Sequence, residues 1–154
     1  MRTFSDVADI KRSVGEVLGT SPWVTITQSD IDVFAAVTRD EQWIHVDQVK
    51  AAAGPFGTTI AHGYLVMSLM AYFSDQVYTI DNLESSINYG SNRVRFPCPV
   101  PVDSRVRGTI TLVDAKDSPS GTQIVTEVVV ELEGASRPCC VAEMVVLLTR
   151  ASDG

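Results

Sequence analysis

The chain has 154 residues, of which 45% are hydrophobic and 20% are charged, and this size and composition predict one domain with a real apolar core. Its net charge is -7, and the lysines and arginines form no cluster. Both features argue against a nucleic acid or an anionic membrane as the main partner. We therefore expect chemistry on a small molecule.

Targeting segments and disulfides are not expected. The first eleven residues lack the uninterrupted apolar core of a signal peptide, and no run of about 18 apolar residues occurs in the chain. A cytoplasmic location follows as an expectation. The three cysteines, Cys98, Cys139 and Cys140, form neither an even framework nor a CxxC metal pair, so we interpret them as reduced packing residues.

The first quarter of the chain predicts a short helix and one strand. Residues 4 to 17 mix polar and apolar side chains in a way that allows a short helix, which the Ser21-Pro22 pair would interrupt. Residues 23 to 27 then alternate as a strand does.

A second helix is predicted to begin at Thr27. Thr27 and Asp30 resemble a capping box in which aspartate replaces glutamate. Residues that would form one inward-packing helix face then recur at helical spacing until the segment ends near Arg39. That face consists of Ile31, Phe34 and Ala35, with Thr38 as a further candidate.

The middle of the chain predicts a loop and a buried helix. The alanines at 51 to 53 favour a short helix, and the glycines and proline at 54 to 57 favour a turn that could cover a site. From Gly63 onward, residues 64 to 73 are apolar nearly all round, which is typical of a helix buried on most sides.

The rest of the sequence predicts strands. Residues 86 to 89 and 93 to 96 alternate on either side of a glycine kink at Gly90. Three longer strands follow at Arg105 to Val113, Thr122 to Leu132 and Cys139 to Leu148. A long buried helix covered by an antiparallel sheet is an α+β arrangement.

Asp40, His45 and Gly63 are the candidate catalytic residues. On one helix, a spacing of five would place Asp40 and His45 about 140° apart, so the two side chains can converge only through a bent loop. Gly63 stands at the start of the apolar helix, where a backbone N–H can point at a ligand. The alternative for Asp40 is a plain turn residue.

Two other interpretations of this region are open. His62 precedes Gly63, and a histidine beside a helix start is more often a structural residue than a catalyst, so it is not placed in the catalytic set. A metal site made of Asp40, His45, Asp47 and His62 is conceivable by ligand type, but it lacks a recognised ligand spacing. We therefore predict no metal and no cofactor.

Three stretches belong together: Phe34 to His45, Phe56-Gly57 and Ile60-Ala61-His62-Gly63. They resemble the hydratase signature of MaoC-like hot-dog proteins. The resemblance is closest to the NodN-like branch, which includes mycobacterial (R)-specific enoyl-CoA hydratases. The similarity extends through residues 87 to 102 and covers most of residues 23 to 148. Arg39, Gln42 and Trp43 stand where the broader family usually has glycine and asparagine-proline. The resemblance implies a single hot-dog domain over residues 1 to 154.

The resemblance also implies a reaction. Addition of water next to a thioester needs a base, an acid and a donor to the enolate oxygen. The resemblance implies that Asp40 and His45 hold a shared water and that the Gly63 N–H donates to the oxyanion. The reaction it implies converts trans-2-enoyl-CoA to (R)-3-hydroxyacyl-CoA. The resemblance further implies a homodimer, which would cover strand edges that a single layer leaves open.

Two rival functions remain at this point. A hot-dog acyl-CoA thioesterase commonly draws a carboxylate from the central helix, as do the fatty-acid-synthesis dehydratases, but residues 64 to 74 contain no Asp or Glu. A non-catalytic acyl-ligand-binding domain is the more distant alternative, and the Asp40 and His45 pair argues against it.

Overall fold

The computed structural model describes residues 1–150, and for Arg150 its backbone only. Five helices and eight strands are found within that range. The helices are α1 (Val7–Lys11), α2 (Gln28–Thr38), α3 (Trp43–Val46), α4 (Gln48–Ala52) and α5 (Gly63–Val77). The strands are β1 (Arg2–Phe4), β2 (Val17–Thr20), β3 (Val24–Thr25), β4 (Tyr78–Ile80), β5 (Leu83–Arg95), β6 (Arg105–Ser118), β7 (Gly121–Leu132) and β8 (Cys140–Arg150).

One antiparallel sheet forms the main layer. Its strand order is β2-β6-β7-β8-β5, and β3 pairs with β6 at one end. The prediction of an antiparallel sheet over a long central helix is confirmed. Strands β6, β7 and β8 follow the three predicted long strands to within a few residues, except that the hairpin of β6 and β7 extends as far as Ser118 and Gly121.

Three short strands were not predicted. β1 and β4 form a separate parallel pair, and β2 adds an edge to β6. They were missed because segments of three or four residues have too few positions to show alternation. The two segments predicted on either side of Gly90 form one strand, β5, whose register relative to β8 shifts at the expected glycine kink. A bulge absorbs the glycine without ending the strand.

Helix α5 packs one face on the sheet. Its buried side chains are Val66, Met70, Phe73 and Val77, spaced three or four residues apart. Tyr64 is 68% exposed and Tyr72 is 44% exposed, so the prediction of burial on most sides is wrong for the single chain. An apolar segment indicates what a helix could bury, whereas the neighbours that are present decide which face is covered.

The capping box predicted for α2 is present. The Thr27 hydroxyl accepts a hydrogen bond from the Asp30 N–H at 3.2 Å, and the Asp30 carboxylate accepts one from the Thr27 N–H at 2.8 Å. Two backbone donors of the first turn are thus satisfied. The cap fixes where α2 begins, and its eleven residues then carry the chain to Arg39 and Asp40.

Candidate active site

Asp40 lies in a sharp turn after α2. Arg39 ends the helix with φ of 65°, in the left-handed region that residues other than glycine rarely occupy. The turn directs the chain away from the helix axis, and the Asp40 side chain is exposed in the single chain. The Asp40 carbonyl accepts a hydrogen bond from His62 Nε2 at 2.9 Å. The carboxylate therefore extends from a backbone that is held at a defined point.

His45 is buried and anchored from two sides. Its ring is on α3 and is 6% exposed, and its Nδ1 atom lies 2.7 Å from the Ile60 carbonyl oxygen. Its own carbonyl accepts a hydrogen bond from the Gln28 amide at 2.8 Å, and the Thr59 hydroxyl donates to the other end of that amide at 2.5 Å. Because a carbonyl can only accept, Nδ1 carries the proton and Nε2 has the lone pair.

The Nε2 atom of His45 is open to a ligand. No hydrogen-bond partner for it occurs within residues 1–150, and it is not among the fully enclosed unpaired polar atoms of that range. Burial, the main cause, lowers the pKa of His45, and the neighbouring His62 adds to this effect, whereas the Ile60 carbonyl and Asp40 oppose it. A neutral imidazole with an available lone pair is a base.

The structure brings Asp40 and His45 together. One carboxylate oxygen of Asp40 and one ring nitrogen each of His45 and His62 all lie within 4.8 Å of one another. The expected bent loop is confirmed, since Asp40 precedes α3 and His45 is part of it. Asp47 instead has a structural role, because its carboxylate accepts a hydrogen bond from the Lys50 N–H at 2.9 Å and caps α4.

Gly63 is the first residue of α5, as expected. Within the described chain its N–H has no hydrogen-bond partner, which is usual for the first turn of a helix. A Cβ at this position would lie 3.0 Å from two atoms of the Phe96 ring. Glycine therefore allows the Phe96 ring to pack against the start of α5, and the helix dipole favours negative charge at the Gly63 amide.

An apolar cavity of about 270 Å³ adjoins these groups. Carbon atoms dominate its lining, which suits a hydrocarbon chain more than a charged ligand. The lining residues that bear on the argument are His45, Phe56, Gly63, Val66, Phe96 and Cys98. His45 and Gly63 thus stand at the wall of one apolar space.

His62 is more central than the sequence suggested. Its ring is 2% exposed and stacks on His45, with centroids 3.8 Å apart and an interplanar angle of 24°. A histidine at the residue before a helix start, where serine, threonine or aspartate is preferred, was the available signal. The sequence alone did not show that the ring turns toward Asp40.

The three cysteines are free thiols, as the interpretation of them as reduced residues requires. Cys139 and Cys140 are buried, and burial raises their pKa values to about 12 and about 11. Such thiols are inert packing groups at neutral pH. Within residues 1–150, no helix is long and apolar enough to cross a bilayer.

Comparison with known proteins gives consistent matches. Residues 9–135 match the family model of the MaoC like domain. The chain is 53% identical over 147 residues to 3-hydroxyacyl-thioester dehydratase Z of Mycobacterium tuberculosis, covering 95% of this chain and 97% of that protein. It is 39% identical over 145 residues to Nodulation protein N of Rhizobium leguminosarum bv. viciae, covering 92% and 90%.

The solved structures agree on the fold. The R-hydratase PhaJ1 from Pseudomonas aeruginosa superposes with a TM-score of 0.71 at 22% identity, covering 90% of this chain and 83% of that one. The hot-dog prediction is therefore confirmed. The matched family model, the length of the shared alignment and the common fold together place this chain in the family of MaoC-like domains.

Proposed function

We propose that this chain is an (R)-specific enoyl-CoA hydratase that adds water to trans-2-enoyl-CoA and gives (R)-3-hydroxyacyl-CoA, reversibly. The general class, a hydroxyacyl-thioester dehydratase or hydratase and thus a carbon-oxygen lyase, follows from the 53% identical dehydratase. One observation carries the proposal: the Asp40 carboxylate lies within 4.8 Å of a ring nitrogen of His45, and His45 and Gly63 line the same apolar cavity.

The first step is deprotonation of water. His45 Nε2 accepts one proton of the water, and the Asp40 carboxylate accepts a hydrogen bond from the other O–H and orients the oxygen. The hydroxyl then attacks C3 of the enoyl group, and the π electrons move toward the thioester oxygen. The imidazolium that forms is stabilised by the nearby carboxylate.

The second step is collapse of the enolate. The Gly63 N–H donates to the developing oxyanion, and the removal of one such donor typically costs 10² to 10³-fold in kcat. The imidazolium returns its proton to C2, which restores the neutral base and balances the reaction. Because Asp40 and His45 deliver the hydroxyl and the proton from the same side of the double bond, the addition is syn.

A stereospecific assay tests this function. Hydration of crotonyl-CoA is followed by loss of the enoyl absorbance, and the product is passed to an (R)-specific or an (S)-specific 3-hydroxyacyl-CoA dehydrogenase. The (R) reporter should account for all product. Mainly (S) product would contradict the shared-water geometry. An equal rate with the corresponding acyl carrier protein thioester would show that the enzyme does not prefer CoA as the carrier.

A thioesterase finds less support. Helix α5 carries one carboxylate, Asp75, which is exposed and lies twelve residues beyond Gly63. At a rise of about 1.5 Å per residue, that is about 18 Å along the helix, too far to share a substrate carbonyl with the Gly63 amide. Release of free thiol from a saturated acyl-CoA at a rate comparable with crotonyl-CoA hydration would favour the thioesterase.

The metal alternative is tested by chelation. The Asp40, His45 and His62 donor atoms are close enough to form a cluster, but two of the ring nitrogens already donate to the Ile60 and Asp40 carbonyls. The mechanism above uses no Lewis acid, because the imidazole takes the proton. We expect activity to survive exhaustive chelation, whereas loss on chelation and recovery with zinc would support a metal site.

We also propose that the protein is a homodimer. Strand β5 is one edge of the sheet and is 13 residues long, and its Ile87 and Tyr89 side chains are 48% and 66% exposed. A long edge with exposed apolar side chains favours pairing with another chain. Sedimentation velocity over a dilution series tests this, and a stable, active monomer at micromolar concentration would contradict it.

A further inference from the structure

We propose that His62 is a positioning residue of the active site: through one ring it fixes the backbone of Asp40 and the plane of His45 beside the Gly63 amide. The inference deepens the proposed function and rests on it. His62 immediately precedes Gly63 in the chain, so the residue that orients the acid-base pair is covalently joined to the one that supplies the oxyanion donor.

The first support is the hydrogen bond to Asp40. Within residues 1–150, the bond from His62 Nε2 to the Asp40 carbonyl, at 2.9 Å, is the one hydrogen bond in which Asp40 takes part. The preceding turn at Arg39 has a φ of 65°, a conformation that costs roughly 1–2 kcal/mol for an L-residue. Without the His62 bond, little else in the described chain would hold the Asp40 backbone in place.

The second support is the position of the ring. His62 is the residue before the first turn of α5, yet its side chain caps no backbone donor there. Serine, threonine, aspartate and asparagine stabilise such positions by about 1 kcal/mol. His62 does not provide that stabilisation. Its imidazole instead stacks on His45, with ring centroids 3.8 Å apart, and lies beside the Phe34 ring, with centroids 5.0 Å apart.

The third support is an unpaired atom. His62 Nδ1 is the buried side-chain polar atom without a hydrogen-bond partner in residues 1–150. Buried polar atoms are usually paired, and exceptions concentrate at functional sites. Since Nε2 donates to a carbonyl, Nδ1 carries a lone pair when the ring is neutral. The geometry of this ring therefore serves its contacts with Asp40 and His45 and leaves one of its own polar atoms unpaired.

Two substitutions separate the two contacts. In His62→Gln, the side-chain amide can still donate to the Asp40 carbonyl, but the stacked ring is lost. In His62→Phe, a stacked ring remains, but the donor is lost. If positioning of Asp40 dominates, kcat for crotonyl-CoA should fall about 10²-fold in His62→Phe and less than about 10-fold in His62→Gln, because a displacement of about 1 Å is enough for the larger loss. KM should change little in both.

The pH profile gives a readout that a purely structural role would not move. The titratable groups that face His45 are Asp40 and His62. The neighbouring His62 contributes to the lowered pKa of His45. Both variants remove this imidazole, so the pKa of His45 should rise. The acidic limb of kcat/KM, which reports protonation of His45, should therefore move to higher pH in both. Equal losses of kcat that match the loss of folded protein, with the acidic limb unmoved, would overturn the proposal.

Nuclear magnetic resonance of the imidazoles keeps the inference separable from the proposed function. The chain has two histidines, so an untagged His62 variant leaves the signals of His45 alone. In the wild-type protein we expect His45 as the Nδ1–H tautomer and His62 as the Nε2–H tautomer, and a higher pKa for His45 in either variant. Swapped tautomers, or an unchanged His45 titration, would overturn the inference whether or not the enzyme hydrates crotonyl-CoA.

Should His62→Phe fail to fold, His62→Asn serves in its place. Its shorter amide reaches the Nδ1 position of a histidine and not the Nε2 position, so it also loses the bond to Asp40. A kcat for His62→Asn equal to that of His62→Gln would overturn the proposed hydrogen-bond role.

Discussion

Replacement of Asp40 by asparagine tests the acid-base pair most directly. The substitution keeps the shape and one acceptor of the side chain and removes its charge. In the proposed mechanism the charge stabilises the imidazolium of His45, and donor atoms of the two residues lie within 4.8 Å. At that separation two unit charges attract by about 3.5 kcal/mol at an effective dielectric constant of about 20, and by about 0.9 kcal/mol in bulk water.

The expected loss of kcat follows from these limits. Asp40 is exposed in the single chain, so solvent screening places the effect between them. At about 1.36 kcal/mol per factor of ten, the limits correspond to about 4-fold and about 350-fold. A bound acyl thioester excludes water from the pair, and we therefore expect a fall of about 10²-fold in Asp40→Asn. His45→Ala, which removes the proton acceptor itself, should lose about 10² to 10⁴-fold.

The double variant decides whether the residues act as a unit. Without an imidazolium, the Asp40 charge has nothing to stabilise, so Asp40→Asn in the His45→Ala background should cost much less than in the wild type. Crotonyl-CoA hydration measured on all four proteins gives the cycle, and Glu41→Gln is the matched control because it removes a neighbouring exposed charge. A fully additive cycle, or near wild-type kcat in either single variant, would refute the shared-water assignment.

Three further predictions rest on particular contacts. Gly63→Ala should lower kcat/KM at least about 10-fold, because the added methyl group pushes the Phe96 ring out of its place in the wall of the cavity beside the amide. The melting temperature should change little, since the Phe96 ring is 40% exposed and can move aside. Wild-type kcat/KM would contradict the role of the Gly63 site. Gly108→Ala places a Cβ 2.8 Å from the fully buried Phe73 ring and should destabilise the fold by about 1–3 kcal/mol, seen as a lower midpoint in urea. The pKa of His45 is lowered in the folded protein, so the unfolded chain binds more protons at acidic pH. The free energy of unfolding should therefore decline as the pH falls from about 6.5 through the folded pKa. In a series of urea titrations, His45→Gln should lack this component of the pH dependence.

The sequence was sufficient for the large elements because their patterns are long. The capping box at Thr27 located the start of α2, and the apolar run after Gly63 located α5, which extends to Val77. The long strands β6 and β7 followed from alternation over a dozen residues. The single-domain prediction over residues 1 to 154 stays a prediction, and its last four residues lie outside the described range.

The sequence by itself determined which chemical groups are available: a carboxylate and an imidazole five residues apart, and a glycine at the start of an apolar helix. It also excluded their convergence on a regular helix, because five residues place two side chains far apart around the axis. The tertiary structure decided which atoms of the candidate site are open to a ligand. The Ile60 carbonyl, fifteen residues from His45, fixes the proton on Nδ1 and leaves Nε2 open. The stacking of His62 on His45 is likewise a contact between distant positions. No local pattern encodes such a pair, because it exists only after α5 and the segment before it have packed together.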